Sequence, residues 1–280
     1  MALLLDDYKR ISGRLDDADI DYDAFRHHPI DPDMLRCLRY MHDIEQHTSC
    51  YLRNLLNTRA HQDPEITAFL TMWNFEEYWH SEALAKVLTA HGEPSASERV
   101  RPMRERLGWK LSASPMLWMA LSATNPSFLA THMAFGVINE WTTQAGYARL
   151  LTLAEHPVLT DLLRRIMRQE GTHIDFYLTQ ARERLEASRT ARRTTRLWVK
   201  RLWAPVGSKV MSLADTRHLI GTLFGGAGGD PVVARLDRRI DALPGLSGLQ
   251  LMARARAEYA TQQASYRPSP SQRHGFSSLT

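Results

Sequence analysis

The sequence lacks any run of 18 apolar residues, so no segment of it is predicted to span a membrane as a helix. Its start, Met1–Asp7, contains no basic residue, and the apolar run there is too short for a signal peptide, which leads us to expect a cytoplasmic protein. There are only two cysteines, Cys37 and Cys50. On one predicted helix they are separated by roughly 20 Å of rise, which excludes a disulfide between them and favours two small buried hydrophobes.

Glycine and proline are scarce within the periodic parts of the chain and occur mostly between them, which favours an all-α fold. The net charge of +4 is not spread evenly, since the stretch Arg182–Arg201 is rich in arginine and poor in acidic residues. This basic stretch predicts either a docking surface for an acidic partner or a solvated helix face. We expect no nucleic-acid partner.

Four long helices are predicted, over residues 33–57, 65–91, 126–154 and from 157 through the basic stretch to about 201. Each has an apolar stripe with steps of three and four residues, and each stripe contains ionisable side chains, which are costly to bury unless they are paired or bind metal. These residues are Glu45, Glu77, His80, Glu140, Glu170 and His173.

The spacing Glu-x-x-His places a carboxylate and an imidazole on one helix face. It occurs at Glu77 and His80 and again at Glu170 and His173. Spacing alone is weak evidence, because roughly 0.6 such matches are expected by chance at this content of Glu and His. The position on core stripes gives it weight, and Glu77 is favoured over Glu76 because only Glu77 shares the stripe of His80.

Four carboxylates and two imidazoles in this order predict a ferritin-like four-helix bundle that holds two metal ions. The ligand types favour two iron ions, with manganese also possible, over tetrahedral zinc. We divide the chain into a lead-in (1–32), the bundle (33–187), a helical C-terminal extension packed on it (188–264) and a disordered tail (265–280). Residues 93–126 are long enough to cross the bundle between its second and third helices.

Two features of the predicted helices remain open. Gly171, between two candidate ligands, could give space near the metals, mark a π-bulge or be merely tolerated. The small residues Ala130, Thr131, Ala134 and Gly136 could border a substrate channel or allow close helix packing.

The motifs resemble those of the di-iron carboxylate proteins of the ferritin-like superfamily, and most closely the soluble acyl-acyl-carrier-protein desaturases. The matching segments, within residues 33–185, are Glu76-Glu77-Tyr78-Trp79-His80, Glu140-Trp141-Thr142-Thr143, and Glu170 with His173. The resemblance implies the same six metal ligands. It also implies that Thr143 is an oxygen-side hydroxyl that donates a hydrogen bond or proton, whereas the alternative is a threonine bonded to its own helix backbone.

The sequence departs from those desaturases at three places. Gln169 stands before Glu170 where Asp is usual, Gly171-Thr172 replace charged residues, and Tyr78-Trp79 replace polar ones. These changes leave the implied ligands intact and bear on the electron-transfer route and the substrate.

We therefore expect an oxygen-dependent di-iron oxidoreductase that acts on an unactivated C–H bond, as a desaturase or hydroxylase of a fatty-acyl or other carrier-bound substrate. The alternatives are a di-iron N-oxygenase of an arylamine or amino substrate, and a non-enzymatic iron-binding or structural bundle. Expected partners are a small ferredoxin-like electron donor, an acyl carrier protein at Arg182–Arg201, and a second copy in a homodimer.

Overall fold

The computed structural model describes residues 5–265, with side chains described up to residue 261. Within that range the regular structure is helical throughout, and no β-strand occurs. The helices are α1 (Leu5–Ile11), α2 (Ala24–His27), α3 (Pro32–Glu45), α4 (Thr48–Leu56), α5 (Pro64–Ala90), α6 (Ala96–Leu107), α7 (Trp109–Thr124), α8 (Phe128–Ala154), α9 (Pro157–Ala187), α10 (Arg189–Leu202), α11 (Leu213–Phe224), α12 (Gly226–Asp241) and α13 (Leu251–Ser265), with a short 3-10 helix at Arg59–Gln62. The predicted all-α class is confirmed.

Four of these helices, α3, α5, α8 and α9, contain the six candidate ligands, and we call them the core helices. Helix α3 packs on α5 and α8, and α9 packs on α8 and α5, so each core helix has two core neighbours. Helices α6 and α7 lie in the connection between α5 and α8. The ring-like packing brings four apolar stripes to one interior.

Local sequence determines where three core helices begin. Helices α3, α5 and α9 start at Pro32, Pro64 and Pro157, whose fixed φ suits the first helical position. The side chain before each proline accepts hydrogen bonds from backbone N–H groups of the first turn. These capping residues are Asp31, Asp63 and His156.

The first and fourth predicted helices are each interrupted. Residues 33–57 form α3 and α4 with a break at Gln46–His47, where the Thr48 hydroxyl donates to the Glu45 carbonyl at 2.7 Å. The helix from Pro157 ends at Ala187 instead of continuing to about 201, so that prediction was wrong. Ser188 is extended, and its side chain accepts a hydrogen bond from the N–H of Ala191, which starts α10.

Helix α12 follows α11 directly, and Gly226, Gly228 and Gly229 lie inside its first turns. A Cβ at Gly229 would come within 2.2 Å of the Phe224 carbonyl oxygen. Glycine is therefore required by the tight junction between α11 and α12 rather than by a loop. The predicted disordered tail lies almost entirely outside the described residues.

No helix in residues 5–265 is both long enough and apolar enough to cross a bilayer. Both cysteines are free thiols, Cys37 buried and Cys50 half-buried.

Candidate metal centre

The six predicted ligands converge in the interior of the core helices as two overlapping groups of four. Within each group, one potential ligand atom from every residue lies within 4.8 Å of all the others. The first, which we call the His80 group, is Glu45, Glu77, His80 and Glu170. The second, the His173 group, is Glu77, Glu140, Glu170 and His173.

Glu77 and Glu170 belong to both groups, whereas Glu45 and Glu140 each belong to one. Both shared carboxylates come from the Glu-x-x-His helices, α5 and α9. All six residues are buried, with relative exposures from 0% to 6%. The described side chains therefore offer two overlapping sets of ligand atoms that can hold a metal ion, with Glu77 and Glu170 common to both.

Three buried polar atoms in the His80 group have no hydrogen-bond partner: His80 Nδ1, Glu77 Oε2 and Glu170 Oε1. The imidazole nitrogen lies 3.3 Å from the Glu77 oxygen and 3.5 Å from the Glu170 oxygen. A buried polar atom without a partner is costly, and here three such atoms face one another. A cation bound between them would satisfy all three, so this donor set fits a metal ion.

The electrostatics of the cluster point the same way. Among the described residues, the glutamates of this cluster and Glu76 form their ion pairs with His80 and His173. Burial and the neighbouring Glu77 carboxylate raise the pKa of Glu45 well above its usual range, and burial and Glu170 do the same for Glu140. Without a cation, the cluster therefore retains protons.

The pKa values of the two imidazoles are raised by carboxylates that they share, Glu77 and Glu170. Burial alone would lower the pKa of His80, but the adjacent Glu170 and Glu77 carboxylates raise it to about 9. Burial likewise opposes the charge of His173, whose pKa is nevertheless raised by its acidic neighbours. Because a metal ligand must be deprotonated, metal binding at these residues is coupled to proton release.

The outer nitrogen of each histidine has a defined partner. His80 Nε2 lies 2.9 Å from Gln169 Oε1, and His173 Nε2 lies 2.8 Å from Glu76 Oε2. Both partners accept, since the Gln169 amide nitrogen is used to donate to the Gly13 carbonyl at 2.9 Å. Each imidazole is thereby held with N–H at Nε2, leaving Nδ1 directed towards the carboxylates.

Glu76 has a role that the sequence analysis missed. Glu77 joins the ligand groups as predicted, but Glu76 is also buried, at 1% exposure. It accepts hydrogen bonds from the Tyr8 hydroxyl, from the Gly13 N–H at 2.9 Å and from His173. The only sequence signal was the consecutive pair Glu76-Glu77, because the Gly13 contact spans 63 positions.

The two unshared carboxylates each accept a hydrogen bond from a neutral aromatic donor. The Tyr147 hydroxyl donates to Glu45 Oε1 at 2.7 Å, and Trp73 Nε1 donates to Glu140 Oε1 at 3.0 Å. These bonds orient both carboxylates without adding charge.

The structure decides between the alternatives for two glycines. A Cβ at Gly136 would lie 2.3 Å from the Tyr177 ring, so this position serves close packing of α8 on α9. A Cβ at Gly171 would meet only Gln144 Nε2, at an ordinary 3.9 Å, and α9 continues through it as regular α-helix. Gly171 is thus tolerated rather than required by packing.

Thr143 is half-buried, and its side chain makes no hydrogen bond among the described residues. Its neighbour Thr142 donates to the Asn139 carbonyl at 2.8 Å, the backbone bond that was the alternative for Thr143. The role of Thr143 stays a prediction.

Part of the basic stretch Arg182–Arg201 is occupied by internal bonds, with Arg184 paired to Asp63 at 3.2 Å and Arg196 donating to the Gly245 carbonyl. Arg182 is different, because it lines a groove of about 600 Å³ between α8, α9 and α12. Arg168 and Arg239 line the same groove, and none of these three arginines has a side-chain hydrogen bond or ion pair within the described residues.

No protein-family model, curated protein or solved structure matches this chain.

Proposed function

We propose that the protein is a non-haem di-iron oxidoreductase with a ferritin-like four-helix bundle, in which the connection through α6 and α7 is the long crossover. The proposed reaction is oxygen-dependent oxidation of an unactivated C–H bond in a fatty-acyl or other carrier-bound substrate, as in the soluble desaturases that the motifs resemble. The observation that supports it best is the pair of buried groups sharing Glu77 and Glu170, with three unpartnered ligand atoms facing one another. Manganese remains an alternative occupant of these sites.

In this proposal Glu45, His80, Glu77 and Glu170 would hold one metal ion, and Glu140, His173, Glu77 and Glu170 would hold the other. When bound, the iron pair supplies the reductive activation of dioxygen that such oxidation requires. The Tyr147 and Trp73 hydrogen bonds hold the unshared carboxylates, and burial of all six ligands excludes bulk water.

The remaining parts of the proposal concern delivery of electrons and substrate. The groove with Arg168, Arg182 and Arg239 supports an acidic partner, either a ferredoxin-like electron donor or an acyl carrier protein. It runs beside Gly171 and Thr172, which lie between the ligands of α9. A homodimer stays a prediction.

The test begins with anaerobic loading of ferrous iron and elemental analysis of the washed protein. Two irons per chain are expected, followed by reductant-dependent dioxygen uptake and, by mass spectrometry, product formed from a panel of acyl-carrier-protein substrates. Glu170→Gln should lose iron and uptake together, because Glu170 serves both groups. Glu183→Gln, an exposed carboxylate on the same helix, is the matched control and should behave as the parent protein.

Each outcome separates the alternatives. Iron binding and dioxygen uptake with product only from an arylamine panel would replace the desaturase or hydroxylase proposal with N-oxygenation. Iron binding without dioxygen uptake would indicate an iron-binding bundle, and absence of iron at micromolar concentrations would overturn the di-iron proposal itself.

A further inference from the structure

The two ligand groups are supported by outer partners of different charge. His173 Nε2 donates to the carboxylate of Glu76 at 2.8 Å, whereas His80 Nε2 donates to the amide of Gln169 at 2.9 Å. An anionic acceptor increases the basicity of the imidazole and favours the positive charge of a metal on its other nitrogen, and a neutral amide does so less.

In the types of their ligands the two groups are matched. Both use Glu77 and Glu170, both use a histidine Nδ1, and each has one unshared glutamate that accepts a neutral donor. The difference in charge between the surroundings of the two histidines is therefore the pair Glu76 and Gln169.

The hydrogen bonds around Gly13 explain why these two partners are chemically distinct. The Gly13 N–H donates to Glu76, and the Gly13 carbonyl accepts from Gln169. Glu76 receives three donors on its two oxygens, which is the pattern of a carboxylate. Gln169 must accept from His80 and donate to Gly13 at the same time, which an amide can do and a carboxylate cannot.

We propose that the two groups bind divalent metal in a fixed order, the His173 group first and the His80 group second. This inference rests on the proposed two-metal site and adds to it an inequality between its halves. Changes to the outer partner of a metal-bound histidine alter metal affinity by about 10–100-fold, so the two binding steps should differ by a factor of that order.

The experiment is a calorimetric titration of the metal-free full-length protein with Mn²⁺, followed by anaerobic titration with Fe²⁺. The parent protein should show two steps separated by about 10–100-fold. Glu45→Gln should abolish the weaker step and leave the tighter one, whereas Glu140→Gln should do the opposite, since each residue belongs to one group.

A second pair of variants tests the outer partners themselves. Glu76→Gln should weaken the tighter step about 10–100-fold, and Gln169→Glu should strengthen the weaker step by about tenfold or more. Each variant introduces one mismatched contact at Gly13. Glu76→Gln places an amide N–H against the Gly13 N–H, and Gln169→Glu places a carboxylate oxygen against the Gly13 carbonyl. If the substitutions acted only by loosening the segment around Gly13, metal affinity would fall in both variants. The proposal requires affinity to fall in Glu76→Gln and to rise in Gln169→Glu.

Two equal steps in the parent protein, or loss of the tighter step in Glu45→Gln, would overturn the binding order. So would a loss of affinity in both outer-partner variants. If the parent protein binds neither Mn²⁺ nor Fe²⁺, the two-metal proposal fails instead. The two failures are distinguishable, because the binding order is tested only in a protein that binds two metal ions.

Discussion

Replacing the unshared carboxylates one at a time should separate the stability of the fold from the stability added by metal. The two substitutions are Glu45→Gln and Glu140→Gln. Burial and a neighbouring carboxylate raise the pKa of both glutamates well above the usual range, which favours the neutral acid in the metal-free protein, and glutamine imitates that form closely. The glutamine carbonyl can still accept the bond from Tyr147 or Trp73, so we expect the metal-free free energy of unfolding to change by less than about 1 kcal/mol.

The metal-bound protein should respond differently. A ligand at 100 times its dissociation constant stabilises the fold by about 2.7 kcal/mol for each site. For a chain of this size, 1 kcal/mol shifts Tm by about 2–4 °C, so each site should add about 5–11 °C under those conditions. Each variant should lose the contribution of one site and keep that of the other, because the two glutamates belong to different groups.

Thermal unfolding followed by circular dichroism, with and without Mn²⁺ and with the metal content measured in parallel, provides the assay. Glu183→Gln is the control, and it should retain the full metal-dependent shift. A metal-dependent Tm gain that is unchanged in both Glu45→Gln and Glu140→Gln would refute the assignment of these carboxylates as ligands. A fall of several kcal/mol in the metal-free proteins would show instead that the two residues act mainly in folding.

Gly136→Ala should destabilise the protein by about 1–3 kcal/mol in urea unfolding, since its Cβ would overlap the Tyr177 ring, while Gly171→Ala should be neutral or stabilise by up to about 1 kcal/mol. Metal affinity should rise between pH 6 and 9, because the metal-free site holds protons on groups such as His80, whose pKa is about 9. Binding should release these protons, and calorimetry in buffers of different ionisation enthalpy measures their number. The same raised pKa means that protonated His80 stabilises the metal-free fold below about pH 6.5 and that this contribution is lost as pH rises through 9, so metal-free stability should fall between pH 7 and 9.5. Thr143→Val should leave metal content unchanged and lower the rate of product formation by about tenfold or more if its hydroxyl serves as proton donor; an unchanged rate would remove that role.

The sequence predicted the core helices well where local chemistry decides them. Pro64 with the Asp63 cap begins α5 one residue from its predicted start. The breaks at Gln46–His47 and at Ser188 were missed, because an apolar period continues across a short interruption and a single capping serine is a weak signal.

The candidate site, like the helices, was predicted only in part. The three-residue spacing together with the position on apolar stripes placed Glu77 with His80, and Glu170 with His173, on interior faces. Glu76 was set aside as lying off the stripe, yet α5 is buried on a second side by the N-terminal segment containing Tyr8 and Gly13. A stripe read from one helix cannot show a second packing surface formed by a segment more than 60 positions away.

The sequence by itself thus determined which side chains share a helix face, because helical geometry sets those relations along one continuous chain. It also determined the helix starts, since proline and capping residues act on their own first turn. Only the tertiary structure decided that Glu77 and Glu170 are common to two groups, which nitrogen of each histidine faces them, and that one outer partner is charged and the other neutral. These relations join α3, α5, α8, α9 and the N-terminal segment, and they exist only once those elements pack.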